Sequence, residues 1–187
     1  SNCKQEYNIH EINTYATCCD KPLVVNYDLL SSPLKSAISS SQNTMWRYET
    51  LLPVFNKQNI VSLGEGMTPI HHLHKLADEY GFDELLMKDE SFNPTGSFKA
   101  RGMSVAVSKA KELGIRKCIV PTAGNAGGAL AAYCAKAGII CTVVMPSQTP
   151  KIFKQECEWY GTELVCVDGM INDGSKNVQE INKEKSY

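Results

Sequence analysis

The sequence has almost no net charge: 187 residues carry 19 basic and 20 acidic side chains, a formal balance of -1. Nucleic acids and anionic membrane surfaces draw a basic excess, so neither is expected as a partner. Long apolar runs are also missing. The most apolar window, Ala129 to Pro146, is broken by Lys136 and Gly138 and reads as a helix followed by a strand, not as a membrane span. No charged and apolar leader opens the chain, so secretion has no support. Nor is there low complexity: 43% apolar and 8% aromatic residues exclude a disordered tail or a collagen-like repeat. Length of this order predicts one domain, or one with a small appendage, able to bury a core without staples. The eight cysteines do not form a disulfide framework. Five of them (Cys118, Cys134, Cys141, Cys157, Cys166) stand singly in apolar segments, where a thiol acts as a small core residue, so a reduced, cytoplasmic chain is expected.

What is present becomes regular only past the first third. Residues 1–53 have little periodicity and many Ser, Asn and Tyr, and read as irregular structure with short strands such as Leu23–Tyr27. Thr68-Pro69 places a capping hydroxyl before a proline at a first helical position, and Ile70, Leu73, Leu76, Ala77 and Tyr80 form one apolar face, predicting a helix up to Gly81. Leu85–Lys88 reads as a short strand. A second helix is predicted from Ser97 to Leu113, with Met103, Ala106, Val107 and Ala110 buried and Gly114 as its stop. Strand and helix then alternate: strand Cys118–Pro121, helix Asn125–Lys136, strand Ile140–Met145, helix Pro150–Tyr160, strand Glu163–Val167 and helix Asp173–Lys185. Short apolar strands separated by helices of this length require parallel pairing through crossovers, so the fold class is α/β, a parallel sheet with flanking helices.

Two stretches carry chemistry. In Asn93-Pro94-Thr95-Gly96-Ser97-Phe98-Lys99-Ala100-Arg101-Gly102, Pro and Gly make a tight loop and Thr95 or Ser97 is expected to cap the following helix, which puts Lys99 in its first turn. The positive potential of a helix end with Arg101 nearby suits a nucleophilic amine; a solvated surface lysine is the plain alternative. Thr122-Ala123-Gly124-Asn125-Ala126-Gly127-Gly128 lies between a strand and a helix N-terminus, where small residues let an anion approach unpaired backbone N–H groups. Its glycine spacing is not that of a dinucleotide fingerprint. Glycines used only for close helix packing would look the same, but the carboxyl end of a parallel strand is where open α/β sheets hold ligands.

Together these stretches resemble the lysine motif and the asparagine loop of the fold-type II pyridoxal-phosphate enzymes, the class of the tryptophan synthase β chain, in matching order and separation. Within that class, Met45-Trp46-Arg47-Tyr48-Glu49 with Leu52-Pro53, then Ser62-Leu63-Gly64-Glu65-Gly66-Met67-Thr68-Pro69 and Lys88-Asp89-Glu90, are similar to the threonine synthase family more than to the dehydratases. The resemblance implies that Lys99 holds the pyridoxal 5'-phosphate cofactor as a Schiff base and then moves protons. It implies that Asn125 bonds the phenolic oxygen of the cofactor, and that Thr122, Ala123, Gly124, Asn125 and Ala126 bind the substrate carboxylate. The implied substrate is O-phosphohomoserine, which with water gives threonine and phosphate as phosphate leaves from Cγ and water adds at Cβ, in a cytoplasmic enzyme with a homodimer as the expected assembly. The family chain is about twice as long, and its phosphate-holding glycine loop and its partner for the pyridine nitrogen lie C-terminal to residue 187. The chain is therefore expected to be an N-terminal fragment that binds pyridoxal phosphate weakly or not at all. Its expected parts are an irregular segment at 1–60, part of the large cofactor domain at 61–108, and an incomplete small α/β domain at 109–187.

Three further groupings invite attention. Several threonine synthases carry paired Cys-x-x-Cys knuckles resembling a zinc ribbon at the N-terminus, and Cys19 matches the last ligand of that pattern. Ala16 stands where another ligand belongs and Cys3 lacks its partner, so Cys3, Cys18 and Cys19 are expected to be a metal-free remnant and no metal site is assigned. His71 and His74 have helical i, i+3 spacing around His72, and read as a solvated face. Asp168 and Asp173, beside Gly169 and Gly174, read as turn chemistry.

Overall fold

The computed structural model describes residues 3–27, 36 and 38–185. Three parallel strands in sequential order form its centre: β3 (Lys117–Pro121), β4 (Ile140–Pro146) and β5 (Glu163–Val167). Their register pairs Cys118 with Cys141 and Val144 with Val165. β4 is buried from Cys141 to Pro146, as a central strand covered on both faces must be. α3 (Asn125–Ala137) and α4 (Lys151–Trp159) pack against each other and cover one face. Close approach of Gly127 to Val143 and Met145, and of Gly174 in α5 (Ile171–Lys185) to Val144, Pro121 and Val167, shows alternate side chains of β4 meeting helices on opposite faces. The expected parallel α/β layer is present. α3 ends as the sequence predicts, on Gly138 in the left-handed region (φ 68), where its N–H bonds the Cys134 and Ala135 carbonyls.

α2 (Lys99–Glu112) packs along α3 and closes the main core, in which Ala100, Val107, Leu130, Tyr133, Val143 and Met145 are buried. Its buried face is more polar than its periodicity predicted. Ser104 and Ser108 are fully buried and Ala106 is exposed, because the face is set by what α2 packs against: Ser104 donates to the Val61 carbonyl (2.7 Å) and Ser108 accepts the Val61 N–H (2.8 Å). A smaller cluster of Met45, Trp46 and Val54 sits over Val105.

The predicted helix from Pro69 to Gly81 is a strand followed by a shorter helix. β1 (Ile70–His72) pairs antiparallel with β2 (Leu86–Lys88), and α1 (His74–Tyr80) follows. Flanking bonds from Leu73 N–H to Leu85 O (2.9 Å) and Asp89 N–H to Pro69 O (3.0 Å) extend the pairing. These inter-strand bonds outweigh a local N-cap, and the Thr68 hydroxyl donates to Glu90 instead (2.7 Å). The end at Gly81 (φ 70) is as expected. Leu23–Tyr27 is not a strand; the described part of the N-terminal segment contains one isolated antiparallel bridge, Tyr15 with Pro22. Of the five cysteines expected in the core, Cys134, Cys141 and Cys157 are buried and Cys118 is half-buried. Cys166 is exposed, because β5 is an edge strand.

Candidate active site

Lys99 and Asn125 are the first residues of α2 and α3, two helices that pack on each other. The 3₁₀ turn Pro94–Gly96 leading to Lys99 also lies against α3. Two segments far apart in sequence thus bring an amine-bearing and an amide-bearing helix start into one unit. The Lys99 ammonium rests 4.3 Å from the centre of the Phe98 ring.

The loop before Asn125 is built by Thr122. Buried at the end of β3, its N–H bonds Val144 O (2.9 Å) and its hydroxyl accepts the Gly124 N–H (3.1 Å). Gly124 adopts φ 154, ψ -108, and the Phe153 ring lies where a side chain would point, so glycine is required there. No side chain caps α3; the Gly127 N–H bonds the Gly124 carbonyl (2.8 Å), which leaves the Asn125 and Ala126 N–H groups to a ligand or water. Ala123 and Asn125 are exposed and Ala126 is half-buried. The Thr122–Ala126 loop lies at the carboxyl end of β3, between strand and helix as the sequence predicts.

Arg101 does not stand free beside Lys99. Its guanidinium bonds Glu90 through Nε (2.6 Å) and Nη2 (2.8 Å), and Glu90 also accepts from Thr68 Oγ1 and from Asn93 Nδ2 (2.8 Å). The guanidinium, aided by these two donors, holds the Glu90 carboxyl at about 2 against its burial. Asn93 Oδ1 in turn accepts the Gly66 N–H (3.0 Å). This network pins the loop ahead of Lys99 to the 64–69 segment.

Neither Thr95 nor Ser97 caps α2, contrary to expectation. Thr95 is left-handed (φ 60, ψ 22), which is incompatible with the extended backbone of a cap, and α2 has no side-chain cap. The Thr95 and Ser97 hydroxyls are buried without a partner next to Lys99. Left-handed, β-branched residues with unsatisfied hydroxyls are uncommon and concentrate at functional sites.

Sequence reasoning missed the group that joins these pieces. Glu65 is fully buried and accepts from Trp46 Nε1 (2.9 Å), Ser104 Oγ (2.6 Å), Tyr133 OH (2.5 Å) and the Leu63 N–H (2.9 Å). Burial raises its carboxyl, but the bonds from Ser104, Tyr133 and Leu63 overcome that and leave it below its ordinary value; burial and the Glu65 bond push the Tyr133 phenol up. One carboxylate thus ties the helices of Lys99 and Asn125 together. Its only sequence signal was an acidic residue between two glycines.

His71 and His72 lie on β1, so the helical i, i+3 pairing with His74 does not exist. All three are exposed, with His71 3.6 Å from Asp89 and His72 3.3 Å from Glu84. Asp173 accepts the Met170 N–H (3.0 Å), the turn role expected, whereas Asp168 accepts from the Ser147 hydroxyl (3.0 Å), a residue remote in sequence just past β4. Cys3, Cys18 and Cys19, read as an incomplete pattern, are brought together: their Sγ atoms all lie within 4.8 Å of one another.

Lys99 and Asn125 thus open two helices that pack on each other, and a loop of small residues precedes the second at the end of a parallel strand. Residues 61–187 match the pyridoxal-phosphate-dependent enzyme family model, and the chain belongs to that family. It is 36% identical over 189 residues to the threonine synthase of Methanocaldococcus jannaschii, with 98% of this chain and 46% of that protein covered. The threonine synthase of Methanosarcina acetivorans is 35% identical, with 99% and 46% covered. The chain therefore spans about half the length of these curated relatives. Among solved structures, O-ureido-L-serine synthase superposes with a TM-score of 0.60 at 29% identity, over 72% of this chain and 43% of that one. Diaminopropionate ammonia lyase from Escherichia coli superposes with a TM-score of 0.63 at 18% identity, over 70% and 39%, a likeness of fold alone. Among the described residues, no helix is long and apolar enough to cross a membrane.

Proposed function

We propose that this chain is the lysine-bearing part of a threonine synthase, a pyridoxal-phosphate-dependent lyase that converts O-phospho-L-homoserine and water to L-threonine and phosphate. The observation that carries the proposal is the packing of the Lys99 and Asn125 helix starts into one unit, in a chain matched along 98% of its length by a threonine synthase. The residues present fit the cofactor: an amine, an amide side chain, an uncapped helix start and two buried hydroxyls without partners lie on neighbouring segments. When bound, pyridoxal phosphate supplies the electron sink for carbanion chemistry.

In this reading Lys99 holds the cofactor covalently and then serves as the base and acid that moves protons at the substrate Cα and Cβ. Asn125 directs its side-chain amide at the cofactor's phenolic oxygen. Thr122, Ala123, Gly124, Asn125 and Ala126 receive the substrate carboxylate through loop N–H groups, aided by the helix dipole. The Glu90–Arg101 pair holds the loop that positions Lys99. Residues 61–108 then belong to the large cofactor domain and 109–187 to the small one, in a cytoplasmic homodimer. The chain by itself is expected to bind the cofactor weakly and not to turn over.

A second reading, another reaction of the same class such as threonine dehydration or a sulfur-adding synthesis, is favoured by the structural likeness to O-ureido-L-serine synthase. Borohydride treatment with pyridoxal phosphate, on the chain extended to the length of its relatives, is expected to label Lys99; label on another lysine overturns the assignment. Phosphate release from O-phosphohomoserine without ammonia release from threonine is expected, and the reverse selects the second reading.

A further inference from the structure

We propose that Cys118 and Cys134 are an oxidation site for hydrogen peroxide, with Cys118 as the attacking thiol and Cys134 as the thiol that closes a disulfide onto it, tying α3 to β3. Cys118 and Cys141 are direct partners in the β3–β4 register, so their side chains share one face of the sheet. That face is the one α3 covers, because Cys141 alternates in step with Val143 and Met145, whose side chains meet Gly127 of α3. Cys134 stands on α3 against both thiols and is hydrogen-bonded to each. Two strands and a helix thus bring three sulfurs to one patch of the main core.

The three thiols are not equivalent. Cys134 and Cys141 are buried, whereas Cys118 is half-buried on β3, an edge strand of the sheet among the described residues. An oxidant arriving from solvent therefore meets Cys118 first. The hydrogen bond from Cys134 holds the Cys118 thiol below its ordinary value against its own burial, and the bonds to Cys118 and Cys141 push the Cys134 thiol up. Cys141 is lowered in the same way but lies deeper. A partly accessible thiol that ionises readily, beside a second thiol, is the kind that oxidises reversibly. The Cys118 thiolate attacks one peroxide oxygen: a sulfur–oxygen bond forms as the oxygen–oxygen bond breaks, and the leaving hydroxide takes up a proton to become water. Cys134 then gives up its proton and attacks the Cys118 sulfur, and the displaced hydroxide leaves as a second water. Two thiols and one peroxide become one disulfide and two waters. α3 begins at Asn125 and Cys134 lies near its other end, so the bond anchors to β3 the helix whose start carries Asn125.

Hydrogen peroxide added to the reduced, folded chain, followed by thiol alkylation, trypsin and mass spectrometry, tests this. Cleavage after Lys117 and Lys136 leaves both thiols in the peptide 118–136. That peptide is expected to be unalkylated and lighter by two hydrogens, and to take up the alkylating reagent at both thiols once dithiothreitol is added first. Cys134→Ala is expected to leave Cys118 as a sulfenic acid that a cyclic dione traps, and Cys118→Ser to spare Cys134 from oxidation. Far-ultraviolet circular dichroism matching the unsubstituted chain makes these changes chemical, and the mapping of the unsubstituted chain needs no variant. Cys166→Ser, at the exposed thiol on β5, is expected to leave the product unchanged. A cross-link from peptide 118–136 to peptide 137–151, which carries Cys141, overturns the proposal, as does full alkylation of Cys118 and Cys134 after peroxide or oxidation of Cys134 in Cys118→Ser.

Discussion

The β3–β4–β5 sheet and the β1–β2 ribbon are both made of short strands carrying large apolar side chains, yet they meet opposite surroundings. Val143, Val144 and Met145 on β4 are at most 1% exposed, whereas Ile70 on β1 and Leu86 and Met87 on β2 are 57%, 47% and 43% exposed. The sheet carries its own cover, since each crossover between its strands lays a helix on it. The ribbon is joined by α1, which buries Ala77 alone. Apolarity marks a strand for burial, but only neighbouring chain delivers it, and a two-stranded ribbon is marginal without cover.

The largest expected break falls where the two regions are tied together. Glu65→Ala strips the acceptor from Trp46, Ser104 and Tyr133 and should cost about 3–5 kcal/mol in urea unfolding, with Glu65→Gln retaining part of that stability. Within the sheet, Met145→Ala leaves a cavity under α3 and should cost about 3 kcal/mol. In the ribbon, acid should act first through Glu90. Its folded value of about 2 lies below the ordinary 4.5, so its contribution is complete above pH 4.5 and is lost as pH falls towards 2. Arg101→Met should remove about 1–2 kcal/mol at neutral pH and flatten that acid limb, as read from melting temperature against pH. The smallest effect is expected from Met87→Ala, within about 0.5 kcal/mol; a loss as large as that of Met145→Ala would show that the ribbon is buried in solution.

Most of the sheet region was legible because its signals are local. Gly138 and Gly161 end helices in the left-handed backbone that glycine adopts freely, and the Ile140–Pro146 run is long enough to specify a buried strand. Lys99 and the Thr122–Ala126 loop could be singled out for the same reason, since lysine in a helix's first turn and small residues between strand and helix are patterns within a dozen residues. The ribbon was misread because its local signal, Thr68-Pro69 before an apolar face, competes with pairing to residues 86–88 that no local pattern reports. The polar lining of α2 was missed likewise: Ser104 and Ser108 look solvated until Val61 and Glu65 supply their partners.

By itself the sequence determined the alternation of strands and helices, the parallel sheet and the two chemistry-bearing loops, because turn residues and hydrophobic period act through neighbours in the chain. Only the tertiary structure decided that Glu90 answers Arg101, that Glu65 joins the helices of Lys99 and Asn125, that Thr95 and Ser97 keep unpartnered hydroxyls, and that Cys3 comes together with Cys18 and Cys19. Each of these depends on hydrogen bonds or distances between residues remote in sequence, whose strength is set by burial and geometry that exist only after the chain has packed.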